Sequence, residues 1–217
     1  RYVAPYRDLA SVYAQENALD EAWVYGLMRQ ESRFVDYARS NVGAQGLMQI
    51  MPATAKWISR QLGLGKNAHA GVGKPETNIR FGTFYLKHIF DSLDQSPVLA
   101  TAGYNAGPGR ARRWQAEFPL EGAIYVENIP FSETREYVKK VLANAMFYRN
   151  LFGGASQSLK ERLGTIGARA KAGQPVPAAA GETVESTSAA VAQQLAAKQK
   201  RKIRSRRSTY LPAPPAR

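Results

Sequence analysis

The chain contains no cysteine, which excludes disulfides, thiol catalysis and thiolate zinc sites while leaving its redox compartment open. Histidine is nearly as scarce. His69 and His88 stand alone, so no metal site is expected and each reads as a surface or helix residue. No apolar run approaches the length of a membrane span. Alternation of apolar and polar residues never persists long enough for a substantial sheet, and no internal repeat is visible. Arg1 is preceded by no initiator Met and followed by no charged-then-apolar leader. The chain therefore reads as an excised or processed piece whose targeting signal lies out of view.

Positive charge is plentiful but uneven. Of a net +13, residues 155–217 carry 12 Lys/Arg against 3 Asp/Glu, a balance of +9 that leaves +4 for residues 1–154. After Gly154 there is no Trp, Phe or Met. Gly173 to Ala192 is rich in Ala, Pro, Ser, Thr and Gly, and Lys198 to Arg207 holds seven cations in ten residues. Such sequence cannot bury enough apolar surface to order itself, so residues 153–217 are expected to form a low-complexity, largely disordered basic extension. Seven clustered cations attract any polyanion. With only Tyr210 beyond them, they lack the interleaved aromatics that stack on bases, and no specific nucleic-acid binding is expected. An electrostatic hold on anionic wall or membrane surface and a merely solvated tail both remain open.

Residues 1–152 predict an all-α domain. Tyr6 to Glu16 suits a first helix, and Asp20 caps a second that runs through Glu31. Pro52 opens a third, closed by Gly63. Pro75 to Leu93 predicts a long fourth helix with Ile79, Leu86, Ile89, Phe90 and Leu93 on one face, widened by Phe81, Phe84 and Tyr85. It is expected to be the most buried element. Ser96-Pro97 starts a fifth helix, expected to stop before Gly103, Gly107 and Gly109. Ser132 caps a last long helix whose inward face is Val138, Val141, Leu142, Ala145, Arg149 and Phe152. Residues 37–50 carry no helical stripe and contain Gly43 and Gly46, so a loop or short strands should lie beside the second helix.

One residue breaks the pattern. Val24, Leu27, Met28, Glu31 and Val35 recur on a single helix face, and Glu31 is its only acid. A carboxylate there needs a buried partner or a cleft, and burial pushes its pKa upward. A carboxylic acid that keeps its proton near neutrality suits general-acid chemistry. A structural ion pair with an Arg is the alternative, but Arg29 and Arg33 point away from that face.

Four blocks then recur in order: Arg29-Gln30-Glu31-Ser32; Ser40 with Gly43-Ala44-Gln45-Gly46-Leu47-Met48-Gln49-Ile50-Met51-Pro52; Gly103-Tyr104-Asn105-Ala106-Gly107-Pro108-Gly109; and Glu127-Asn128-Ile129-Pro130-Phe131-Ser132-Glu133-Thr134. Together they closely resemble the catalytic domain of the soluble lytic transglycosylases, over residues 1–152. Two departures, Ala102-Gly103 before the tyrosine and Gln45 inside the loop, touch no role-bearing position. The resemblance implies a helical, lysozyme-like domain with a groove for peptidoglycan strands. It implies Glu31 as sole catalytic acid/base, Ser40, Gln49 and Met51 as groove wall, Tyr104 as the phenol holding the carboxylate, and Glu127 as a second groove contact. It further implies no cofactor and the periplasm of a Gram-negative bacterium; larger members carry an N-terminal helical superhelix, and whether such a region precedes Arg1 stays open at the level of sequence.

The activity so implied is non-hydrolytic cleavage between N-acetylmuramic acid and N-acetylglucosamine, leaving 1,6-anhydromuramic ends. Ordinary glycosidases use two carboxylates. Here Asp36 lies about 140° round the helix from Glu31 by ordinary helical geometry, and Glu127 sits in an Ile-Pro context that suggests an extended groove strand. The alternatives are a lysozyme-like hydrolase and a non-catalytic wall-binding module. On residues alone, Tyr104 to Gly107 also reads as a helix end capped by Gly107. The 43–51 segment also reads as a tight turn, and Trp57 and Trp114 read as core before they read as sugar platforms.

Overall fold

The computed structural model describes residues 3–65 and 67–170. Its helices are α1 (Arg7–Glu16), α2 (Glu21–Ser32), α3 (Pro52–Gln61), α4 (Pro75–Ser92), α5 (Pro97–Ala106), α6 (Pro108–Arg113), α7 (Gly122–Glu127), α8 (Ser132–Leu151) and α9 (Leu159–Leu163). A 3₁₀ turn spans Ala68–Gly73, and β1 (Leu120–Glu121) pairs antiparallel with β2 (Thr165–Ile166). Helix dominates, as the sequence predicts. No described helix is long and apolar enough to cross a membrane.

The ends obey local chemistry. Asp20 accepts a hydrogen bond from the Ala22 amide at 2.8 Å and so caps α2. Prolines open α3, α4, α5 and α6, where a missing N–H costs nothing. Ser132 does not cap α8. Phe131 holds the cap position and Ser132 is already helical.

The centre is the α2–α8 pair. Gly26 makes it possible, since a Cβ there would sit 2.5 Å from the Val141 carbonyl and 2.9 Å from the Ala145 amide. Tyr25, Phe34, Tyr148 and Phe152 cluster beside it, with Tyr25 and Tyr148 centroids 4.9 Å apart. The same two tyrosines donate to the Pro5 and Val3 carbonyls, which binds residues 3–5 to the helical body.

Three expectations change. The stripe of α2 ends at Ser32, because Arg33 and Phe34 adopt left-handed backbone, and Val35 is 37% exposed. α5 passes through Gly103 and ends at Gly107; a Cβ on Gly103 would press on Ile89 of α4 and on Leu93 just past its end. α5, buried at eight of its ten positions, is more enclosed than α4. A short helix of Ala, Val, Thr and Gly is apolar all round and shows no stripe.

The ordered body also runs past residue 152. Arg162 is buried and meets Asp20 at 2.8 Å, Ile166 is 2% exposed, and the Arg169 amide donates to the Ala116 carbonyl. Residues 153–170 thus belong to the helical body, not to a linker. The Pro/Ala-rich segment and the basic run fall outside the described residues.

Candidate active site

A cavity of about 400 Å³ opens where α2, α3, α4, α5, α8 and the 39–51 loop converge. Glu31, one residue from the end of α2, lines it. Ser40, Gln49, Met51 and Tyr104 line the same cavity, so the structure brings together five of the six sequence-derived site residues.

The loop is fixed from both sides. Arg39 bridges Gln45, and Gln45 bridges Ile50. Ser40 closes the turn between them, its Oγ accepting from the Ala44 amide at 2.9 Å. Behind the loop, fully buried Asn78 of α4 accepts from the Met48 amide at 2.7 Å and donates to the Gln45 and Val72 carbonyls. Gly46, at φ 77°, lies so close that a Cβ would collide with the Asn78 amide. Ser32 ties the end of α2 to the loop by donating to the Leu47 carbonyl at 2.9 Å.

Gln49 stands in left-handed backbone at φ 48°. Its Nε2 donates to the Ala38 and Gly46 carbonyls, at 3.1 and 2.8 Å, and two acceptors on one end fix the amide's orientation. Its Oε1 accepts no hydrogen bond from the described residues and is available to a ligand N–H or O–H. Met51 holds the cap position of α3.

The carboxylate's partner differs from the expected one. Tyr137 of α8 donates to Glu31 Oε1 at 2.5 Å. Tyr104 instead donates to the Met48 carbonyl at 2.9 Å, while its ring meets Tyr85 at 5.5 Å. Both phenols face Glu31 closely enough to feel its charge. The hydroxyl of Tyr104 is already committed to the loop, and only Tyr137 is left to hold the acid. Burial, then the charge of Glu31, raises both phenols well above their ordinary pKa, so both remain proton donors at neutral pH.

The Glu31 pKa is pushed up from its ordinary 4.5 to about 7. Burial is the main cause; the Tyr137 hydrogen bond opposes it, and the charge of Glu133 adds to it. Glu133 lines the same cavity from the first turn of α8, and burial raises its own pKa.

Glu127 is not brought in. It ends α7, not an extended strand, and its side chain lies on the outer surface with Lys139 Nζ at 2.7 Å. Tyr125 and Val126 supply the buried side of that short helix, which turns Glu127 outward. Asp36 likewise stays out of the cavity and accepts from the Tyr6 hydroxyl at 3.0 Å. Trp57 packs against Tyr85 and His88, and Trp114 against Phe131; neither lines the cavity.

Sequence reasoning missed Tyr137, Asn78 and Glu133. Tyr137 sits four residues before Val141 on the inward stripe of α8, and Asn78 is a polar residue inside the apolar face of α4. Both carried the polar-in-apolar signal that singled out Gln49.

Residues 8–123 match the transglycosylase SLT domain, and residues 128–157 match the soluble lytic transglycosylase helical domain. The soluble lytic murein transglycosylase of Salmonella typhimurium is 39% identical over 156 residues, covering 70% of this chain and 24% of that relative. An inactive Glu-to-Gln mutant of lytic transglycosylase Slt from Pseudomonas aeruginosa superposes with a TM-score of 0.67 at 39% identity, covering 70% of this chain and 25% of the other. The 70 kDa soluble lytic transglycosylase of Escherichia coli gives 0.66 at 36%, covering 76% and 27%. The chain spans about a quarter of the length of these relatives. With the family's domain matched across most of the helical body and its fold reproduced at this identity, the chain belongs to the transglycosylase SLT domain family.

Proposed function

We propose that this domain is a peptidoglycan lytic transglycosylase that cleaves the β-1,4 bond between N-acetylmuramic acid and N-acetylglucosamine with Glu31 as its only acid/base. The observation that carries this reading is a carboxyl group in the wall of a cavity, hydrogen-bonded by a buried phenol and with its pKa pushed up to about 7 by desolvation. Around neutrality such a group is present in both protonation states, which suits a residue that must first give a proton and then take one.

Glu31 protonates the linking oxygen, and the bond from muramic C1 to that oxygen breaks. The substrate's own acetamido carbonyl supports C1 from behind. The Glu31 carboxylate then removes the proton from the C6 hydroxyl, whose oxygen closes on C1 as a 1,6-anhydro ring. The proton returns to Glu31 and water is not consumed. Tyr137 holds the carboxylate in place during its ionised stage, and the charge of Glu133 favours the protonated stage. The open Oε1 of Gln49 is suited to a sugar amide or hydroxyl, with Ser40, Met51 and Tyr104 forming wall around it. The periplasm and cell-wall turnover follow from this substrate.

Glu133 lends a specific interest to one other reading, because two carboxylates in one cavity are what a hydrolase requires. Mass spectrometry of digested sacculi separates the two. Transglycosylation leaves anhydromuramic ends one water lighter than the reducing ends of hydrolysis. Reducing ends alone would overturn the proposal.

A further inference from the structure

The cavity holds two carboxylates, Glu31 and Glu133, and one cation, Arg39. Most other cations of the helical body are occupied. Arg7, Arg149, Arg162 and Arg169 pair with carboxylates, and Arg110, Arg112 and Arg135 donate to carbonyls. The guanidinium of Arg39 makes no hydrogen bond or ion pair among the described residues. It is nonetheless held in position, because its backbone bridges Gln45 and the flanking Ala38 and Ser40 are bound to Gly46 and Ala44.

Arg39 also does not act on the acid. The groups that move the Glu31 pKa are its burial, Tyr137 and Glu133. No ion pair joins Arg39 to Glu31, although both line the same cavity. A planar guanidinium with five donors, fixed at its backbone and open at its head, matches a carboxylate by two parallel hydrogen bonds.

Taking the glycan as substrate, and resting on that reading, we infer that Arg39 recognises a carboxylate carried by the muramic acid residue. The sugar rings themselves are neutral. Negative charge on such a strand comes either from the free lactyl group of a peptide-free sugar or from the carboxylates of a stem peptide. Arg39 would make the domain a reader of that charge, distinguishing muramic-acid strands from neutral N-acetylglucosamine polymers of similar shape.

The test measures binding, not turnover, by calorimetry in a Glu31→Gln background that leaves ligands intact. Three probes are used: stem-bearing glycan oligomers, peptide-free oligomers with the free lactyl carboxylate, and neutral N-acetylglucosamine oligomers. Arg39→Gln should weaken binding of at least one carboxylate-bearing probe by about tenfold or more, as expected for loss of a charge-assisted hydrogen bond. The neutral probe should not weaken. Arg39→Lys should recover part of the loss, and the salt dependence of binding should diminish in Arg39→Gln. The weakened probe identifies the source of the carboxylate. Affinity of Arg39→Gln unchanged from its Glu31→Gln parent for all three probes, or an equal loss on the neutral one, would overturn the inference. Anhydromuramic products from the unmodified chain together with either result would sink Arg39 alone. Charge-selective loss without such products would sink the reaction instead. Failure of every probe to bind would overturn both.

Discussion

Tyr137 donates a 2.5 Å hydrogen bond to Glu31 across 106 residues of sequence, from the longest helix of the body to the end of its most closely packed neighbour. The acid's position therefore depends on the α2–α8 interface, which Gly26 lets close. Burial lifts the Glu31 pKa, and this one bond keeps the rise within reach of neutrality.

Tyr137→Phe removes the bond that favours the charged carboxylate, so the Glu31 pKa should rise further. The alkaline limb of the pH–rate profile, where the general acid is lost, should move to higher pH. The rate itself should fall on the order of tenfold to a hundredfold as the carboxyl loses its orientation. Tyr104→Phe should leave that limb nearly in place, because its hydroxyl serves the Met48 carbonyl. Full pH profiles of both variants check the assignment.

Glu31→Gln should stabilise the fold in alkaline solution. A carboxyl whose pKa is raised by folding, from 4.5 to about 7, binds more protons folded than unfolded between those values. Stability from this group is full below pH 4.5 and is lost as pH climbs through 7, by about 3 kcal/mol. Gln carries no such dependence. Thermal melts should show the variant several degrees above the parent at pH 8 and the difference shrinking towards pH 5.

Asn78→Ala would strand the Met48 amide and the Val72 carbonyl behind the cavity wall and take one of two donors from the Gln45 carbonyl, which keeps the Ile50 amide. With each buried orphan costing about 1–3 kcal/mol, the loss should be roughly 3 kcal/mol or more. Urea unfolding reads the stability. Faster amide exchange over residues 45–49 should accompany it, since Asn78 is the side chain that ties the loop to α4.

Asp20 joins a helix cap to two arginines, one of them buried. Asp20→Ala should cost about 3–5 kcal/mol, chiefly by leaving Arg162 enclosed without its counter-charge. Arg162→Met should cost less, because it removes the charge along with the partner. Denaturant midpoints of the two variants rank them.

Much of this was readable along the chain. The acid in the apolar stripe, the Asp20 cap, the opening prolines and the irregular 37–50 segment follow from local rules, and the local rules hold. What escaped was the choice between neighbours. Tyr104 and Tyr137 both approach Glu31, and only the three-dimensional path of the loop shows that Met48 takes the hydroxyl of the first. Glu127 and Glu133 sit six residues apart in one motif block, yet a short helix turns one outward to Lys139 while the first turn of α8 carries the other into the cavity. Residues 153–170 are poor in aromatics, but Arg162, Leu163 and Ile166 pack on the helical body and the Gly164 carbonyl accepts from the Gly122 amide.

The most direct measurement is the titration of the Glu31 carboxyl carbon itself, followed by NMR in selectively labelled protein and identified by its disappearance in Glu31→Gln. A midpoint near 7 is the result expected for a half-buried acid to which one phenol donates. A midpoint at the ordinary carboxylate value near 4.5 would mean that Glu31 is ionised and solvated at neutral pH, and the proposed proton exchange across the sugar linkage would have no donor.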